Sequence, residues 1–216
     1  AQPERYDEQI NSWYEIALTD EDEEIKRHAA DSLFGFYLRK KDYEKAEEYL
    51  QYFSDYDPMK KIYRGRLYME RGDNENAYKT FENILFSEYQ TLRFTFSLMT
   101  GLAIEEKDVR NARLYADKAG QIAGIFDMGK YNECSAMLDV VCAEKNVEHT
   151  FQVVQKLLDS VDSLFDFEKS ALFRHMGFRK PADAFAAELR EKLLIGFRNE
   201  KEFEYMKGCE EWMRMI

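Results

Sequence analysis

Glycine and proline are scarce in this chain, ten and three of 216 residues, about half the usual share. Few tight turns are therefore expected. Val, Ile and Thr together number only twenty-three, which starves a β-sheet of its preferred residues. Three cysteines are too few for a disulfide scaffold and odd in number, as in a reducing cytosol. Cys134 and Cys142 lie about 12 Å apart along a helix, too far to bridge. No run of eighteen apolar residues is present, so no membrane-spanning helix is expected. The first residues, Ala1-Gln2-Pro3-Glu4-Arg5, have neither an initiator Met nor the apolar stretch of a signal peptide. A chain cut from a longer one is the expectation there, and a processed mature end is the alternative.

What the chain does have is apolar and charged residues in globular proportion, 45% and 34%. Those proportions, with so little turn and strand chemistry, imply an all-α protein. The net charge is −11. Residues 1–60 hold sixteen acids against eight bases, while the rest is near balance. An acidic surface without a Lys/Arg stripe repels phosphate, so direct nucleic-acid binding is not expected.

The residues from Arg27 to Tyr89 repeat themselves. Ala30, Leu33, Phe34 and Tyr37 follow the i, i+3, i+4, i+7 stripe of a helix, which Lys40-Lys41-Asp42 breaks. Tyr43, Ala46, Glu47 and Leu50 begin a second helix, ending before Pro58. The arrangement recurs as Gly65 and Tyr68, the turn Arg71-Gly72-Asp73-Asn74, then Ala77 and Phe81. This resembles the tetratricopeptide repeat, in which a small residue and Tyr on a first helix precede Ala-x3-Phe on a second. Ala46, Ala77, Ala112 and Thr150 take the equivalent crossing position at intervals of 31, 35 and 38. The third turn is Glu106-Lys107-Asp108 and the fourth Glu144-Lys145-Asn146. The resemblance implies a TPR-like right-handed superhelix of about eleven antiparallel helices, built as a single domain over 1–216. Within it, 1–26 would form a helix and acidic linker and 27–160 the repeats. Residues 161–216 would form capping helices near 163–175, 182–195 and 201–214, the middle one opened by Pro181.

Catalytic and metal-binding patterns are missing. His28, His149 and His175 fall on different expected helices, and no H-E-x-x-H or C-x-x-C occurs. The run Asp20 to Glu24 lacks the spacing of a calcium loop and suits a helix N-terminus. Gly120 and Gly124 read as close helix packing or a helix end. The expectation is a non-enzymatic protein without cofactor or metal.

In superhelices of the resembled kind, first helices line a concave groove. The positions facing it are His28, Asp31 and Arg39; Met59, Ile62, Arg66 and Met69; Phe94, Ser97 and Ile104; and Asn132, Ser135 and Asp139. From these, Arg39, Ile62, Arg66, Met69, Phe94, Ser97, Asn132 and Ser135 form the expected ligand groove, amphipathic enough for an extended peptide or a helix. The alternative is that the tail helices fill it. Repeat domains that dock chaperone C-termini carry Lys and Asn where this chain has Asp31 and Gly35, so that role is not expected.

The tail is similar to the C-terminal region of Gram-positive XRE-family helix-turn-helix regulators. The similarity rests on Ser170-Ala-Leu-Phe-Arg-His-Met176, Phe185-Ala-Ala-Glu-Leu-Arg-Glu-Lys-Leu-Leu194 and Glu202-Phe-Glu-Tyr-Met206. Ala171 stands where that family has Pro, and no helix-turn-helix is present. The resemblance implies a cytoplasmic sensing or dimerising module with a protein or peptide partner, or a second copy of itself. In the peptide-sensing relatives an inner-groove Asn grips the peptide backbone, which places Asn132 in that role. A scaffold protein with an unrelated protein partner is the other reading.

Overall fold

A computed structural model describes residues 3–179, 182 and 184–216, with side chains of the first helix from Gln9 onward. Among the described residues there are eleven α-helices and no strand. They are α1 (Pro3–Ala17), α2 (Glu23–Arg39), α3 (Tyr43–Tyr49), α4 (Pro58–Glu70), α5 (Asn74–Glu105), α6 (Val109–Ile125), α7 (Lys130–Ser135), α8 (Leu138–Glu144), α9 (Val147–Asp159), α10 (Phe185–Asn199) and α11 (Glu210–Met215). None of the described helices is long and apolar enough to cross a membrane.

The four expected turns share one backbone design. Lys41, Gly72, Lys107 and Lys145 all adopt the left-handed conformation, with φ of 60°, 78°, 61° and 51°. Each is followed by an Asx cap: Asp42, Asp73, Asp108 and Asn146 accept the backbone N–H three residues on, at 3.1–3.2 Å. Four residues past each cap, Ala46, Ala77, Ala112 and Thr150 are buried. At three of the turns the cap's own N–H donates back to the preceding helix, to Tyr37, Tyr68 and Ala103, closing it as a Schellman motif. Only Gly72 adopts this shape without a Cβ penalty; each lysine costs about 1–2 kcal/mol.

Two compact units divide the chain, Ala1–Ile84 and Leu85–Ile216. No Ser- or Gly-rich linker announces the boundary because it falls inside α5, a 32-residue helix. Between Asp73 and Gly101 nothing in the sequence breaks a helix, so one continuous helix takes the place of the two that the repeat pattern implies there.

In the first unit, Leu33, Phe34, Leu38, Ala46, Leu50, Phe53, Tyr63 and Leu67 form the core. Phe34 stacks on Tyr63 with centroids 4.5 Å apart, and Phe53 meets Tyr63 edge-on. Gly65 on α4 is required by its neighbour: a Cβ there would lie 2.5 Å from the Phe81 ring. The Tyr63 hydroxyl donates to Asp31, and burial with that carboxylate pushes it up to about 12.

The tail of the second unit departs from expectation. Instead of a helix near 163–175 there are three short 3₁₀ turns, Val161–Ser163, Asp166–Lys169 and Ala171–Phe173. Serines divert the backbone: Ser163 Oγ donates to Ser160 O, and Ser170 Oγ caps the Leu172 N–H. This strap lays Phe167, Phe173, Met176 and Phe178 against Phe86, Tyr89, Ala123 and Met128. Residues 201–214 also split, into the 3₁₀ helix Lys201–Met206 and α11, with Gly208 in the gap. Helix α10 starts at Phe185; Pro181 lies outside the described residues. Phe197, Phe203, Met206 and Trp212 pack with Cys142, Val154 and Leu158 into one core.

Candidate functional site

The second unit contains a cavity of about 220 Å³ walled by four helices. Helix α5 contributes Arg93, Ser97 and Thr100, at helical spacing on one face. Ala119 comes from α6, and Asn132, Ser135, Ala136 and Asp139 come from α7, α8 and the joint between them. Small side chains leave the space open. The approach of α7 to α6 depends on Gly120, where a Cβ would sit 2.5 Å from the Glu133 carbonyl. The G-x-x-x-G spacing is thus a packing feature.

Three expected groove residues, Ser97, Asn132 and Ser135, converge on this cavity. Asn132 does so differently from expectation. Its Nδ2 donates to Met128 O at 2.6 Å and Leu164 O at 3.2 Å, holding the strap to α7. Only its Oδ1 is left for a ligand, so Asn132 can accept from a peptide N–H but not donate to a carbonyl. Ser135 Oγ donates to Asn132 O at 3.3 Å.

Arg93, Thr100 and Asp139 complete the lining. Arg93 could have been read from the sequence, four residues before Ser97 on the same helix face. Among the described residues Arg93 has no ion pair, and Thr100, only 4% exposed, has no hydrogen-bond partner. The buried hydroxyl of Tyr89, one turn earlier on α5, is also without a partner. Asp139 keeps a face open to solvent, yet the protein packed around it pushes its carboxyl above the usual carboxylate range.

The remaining groove residues lie apart from this cavity. Arg39, Ile62, Arg66 and Met69 belong to the first unit. Arg39 and Met69 are exposed, Ile62 packs on the first core, and the Arg66 guanidinium lies 6.0 Å from the Tyr63 ring. Phe94 is 65% exposed. The strap that folds back after Ser160 covers Phe86 and Tyr89 and leaves Phe94 open. Truncating Phe94 to Ala should therefore change stability by no more than about 0.5 kcal/mol, measured by thermal unfolding. A loss of several kcal/mol would place the ring in a core.

Two neighbouring cavities, of about 600 and 360 Å³, extend from Asp139 toward the tail. Both are bordered by Cys142 and Glu202. Helical periodicity over 201–214 does not bring Glu200–Tyr205 to this face; the break into a 3₁₀ helix and α11 does. Burial, with Glu202 next in effect, pushes the Cys142 thiol up to about 12, so it is a packing thiol and not a nucleophile. The Tyr205 hydroxyl shares a 2.7 Å hydrogen bond with buried Thr150. Among the described residues no three His, Cys, Asp or Glu side chains gather as a metal set.

Compared with protein-family models, with curated proteins and with solved structures, the chain finds no match.

Proposed function

We propose that the chain is a non-enzymatic peptide-binding module, with the cavity on α5, α7 and α8 as its site. On this reading its helices form a TPR-like superhelix, and it serves as the sensing part of a cytoplasmic XRE-type transcription regulator. The observation that carries the reading is convergence. Ser97 lies 35 residues before Asn132 and 38 before Ser135, yet all three share one cavity with Arg93, which has no ion pair among the described residues. Uncharged hydrogen-bonding groups over an open space suit the N–H and C=O groups of an extended backbone. The cap-and-turn geometry repeated at residues 41, 72, 107 and 145 supports the superhelix, and the tail motifs support the regulator.

A scaffold that docks a protein helix is the second reading. Phe94, Leu98 and Leu102, at i, i+4 and i+8 on α5, are 65%, 59% and 56% exposed and would fit an apolar helix face.

Ser97→Phe tests the first reading. Ser97 is exposed, so the ring fills the cavity without disturbing a core. Equilibrium dialysis against synthetic random heptapeptides should show wild-type retention and about a tenfold loss in the variant, at unchanged melting temperature. Equal retention by both proteins overturns the cavity as the site.

A further inference from the structure

We infer that the site is electrostatically polarised and selects an oligopeptide carrying a carboxylate at one end and basic side chains toward the other. The inference rests on the peptide-binding reading above and names the ligand's chemistry.

The three cavities adjoin at Asp139, which borders all of them, and Cys142 and Glu202 border the two larger ones; a peptide lying over Asp139 would reach from one into the next. Arg93 is the only cation at the small end. Arg93 and Asp139 line the same 220 Å³ without forming an ion pair, so the guanidinium is left to a ligand. Around it stand the hydroxyls of Ser97, Ser135 and Thr100. Thr100 is 4% exposed and makes no hydrogen bond among the described residues, so its hydroxyl on the cavity wall is left to donate to a ligand oxygen. A guanidinium with hydroxyl donors beside it is the chemistry that holds a carboxylate.

Beyond Asp139 the sign reverses. Glu105, Glu200, Glu202 and Glu204 join Asp139 along the larger cavities, against Lys145, Lys192 and Lys201. Burial first, and then the carboxylates of Glu202, Asp139 and Glu200, push up the Cys142 thiol in the shared wall. Ile104, Leu138, Phe197 and Phe203 supply the apolar surface there. Lys and Arg side chains fit such a wall, with aliphatic stems on the apolar residues and charged heads on the carboxylates.

The test uses two pools of synthetic random heptapeptides, free acids and C-terminal amides, with retained peptides read by mass spectrometry. The wild-type chain should enrich Lys and Arg from the free-acid pool. Amidation should cut retention about tenfold, save for peptides whose own Asp or Glu replaces the terminal carboxylate. Arg93→Met should abolish discrimination between acid and amide while keeping the enrichment of bases. Asp139→Asn with Glu202→Gln should do the reverse. Retention without enrichment of bases, or with acids and amides held equally and no Asp or Glu selected, overturns this inference and leaves peptide binding standing. Failure of the wild type to retain any peptide overturns both.

Discussion

Trp212→Ala should lower the stability of the protein by about 3–5 kcal/mol, the largest loss expected from any single truncation here. The indole is 1% exposed in α11, a six-residue helix that could not hold itself together alone. Its ring stacks on Phe203 at 5.6 Å and meets Phe197 edge-on at 6.1 Å. These two rings fix Lys201–Met206 and the end of α10, and through them the position of Glu202 and Tyr205 beside the largest cavity. Removing the indole leaves a void among residues from four separate elements, which cannot collapse together. Urea unfolding followed by circular dichroism gives the value. A loss under about 1 kcal/mol would mean that the tail is not packed as described.

Gly129→Ala should cost about 2–6 kcal/mol. Gly129 precedes α7 with φ 86° and ψ 157°, a region that only glycine occupies without strain of about 1–3 kcal/mol. A Cβ there would also lie 1.9 Å from the Ser163 carbonyl oxygen, and backbone must move to admit it, for about another 1–3 kcal/mol. The movement would pull Ser163 from the Tyr131 N–H and Leu164 from Asn132, now 2.9 and 3.2 Å apart. The strap should loosen along with the global loss, seen as faster amide exchange over 161–173. Wild-type stability in this variant would contradict the contact.

The four capped turns were legible in the sequence because their determinants are local. An Asx cap, a small residue four positions later and a breaker before it fix each turn within six residues, as at Asp42–Ala46 and Asp73–Ala77. Half of the cavity was legible for the same reason, since Ser97, Asn132, Ser135 and Asp139 follow helical phase. The tail was not. Periodicity in 163–175 suggests a helix, but Ser160, Ser163 and Ser170 offer the backbone other partners, and Phe167 and Phe173 pack against Phe86 in the strap. Asn132's internal hydrogen bonds depend on that strap, so its role could not be read before the strap was placed. The boundary between units was hidden because α5 passes through it with no change of composition.

On the proposed reading the peptide site lies on α5, α7 and α8 of the second unit. Hydrogen–deuterium exchange of the full chain, with and without a heptapeptide retained from the free-acid pool, tests it directly. Slowed exchange confined to residues 93–105 and 132–143 is the predicted result. Slowed exchange in α1 to α4 with none on those segments would contradict it.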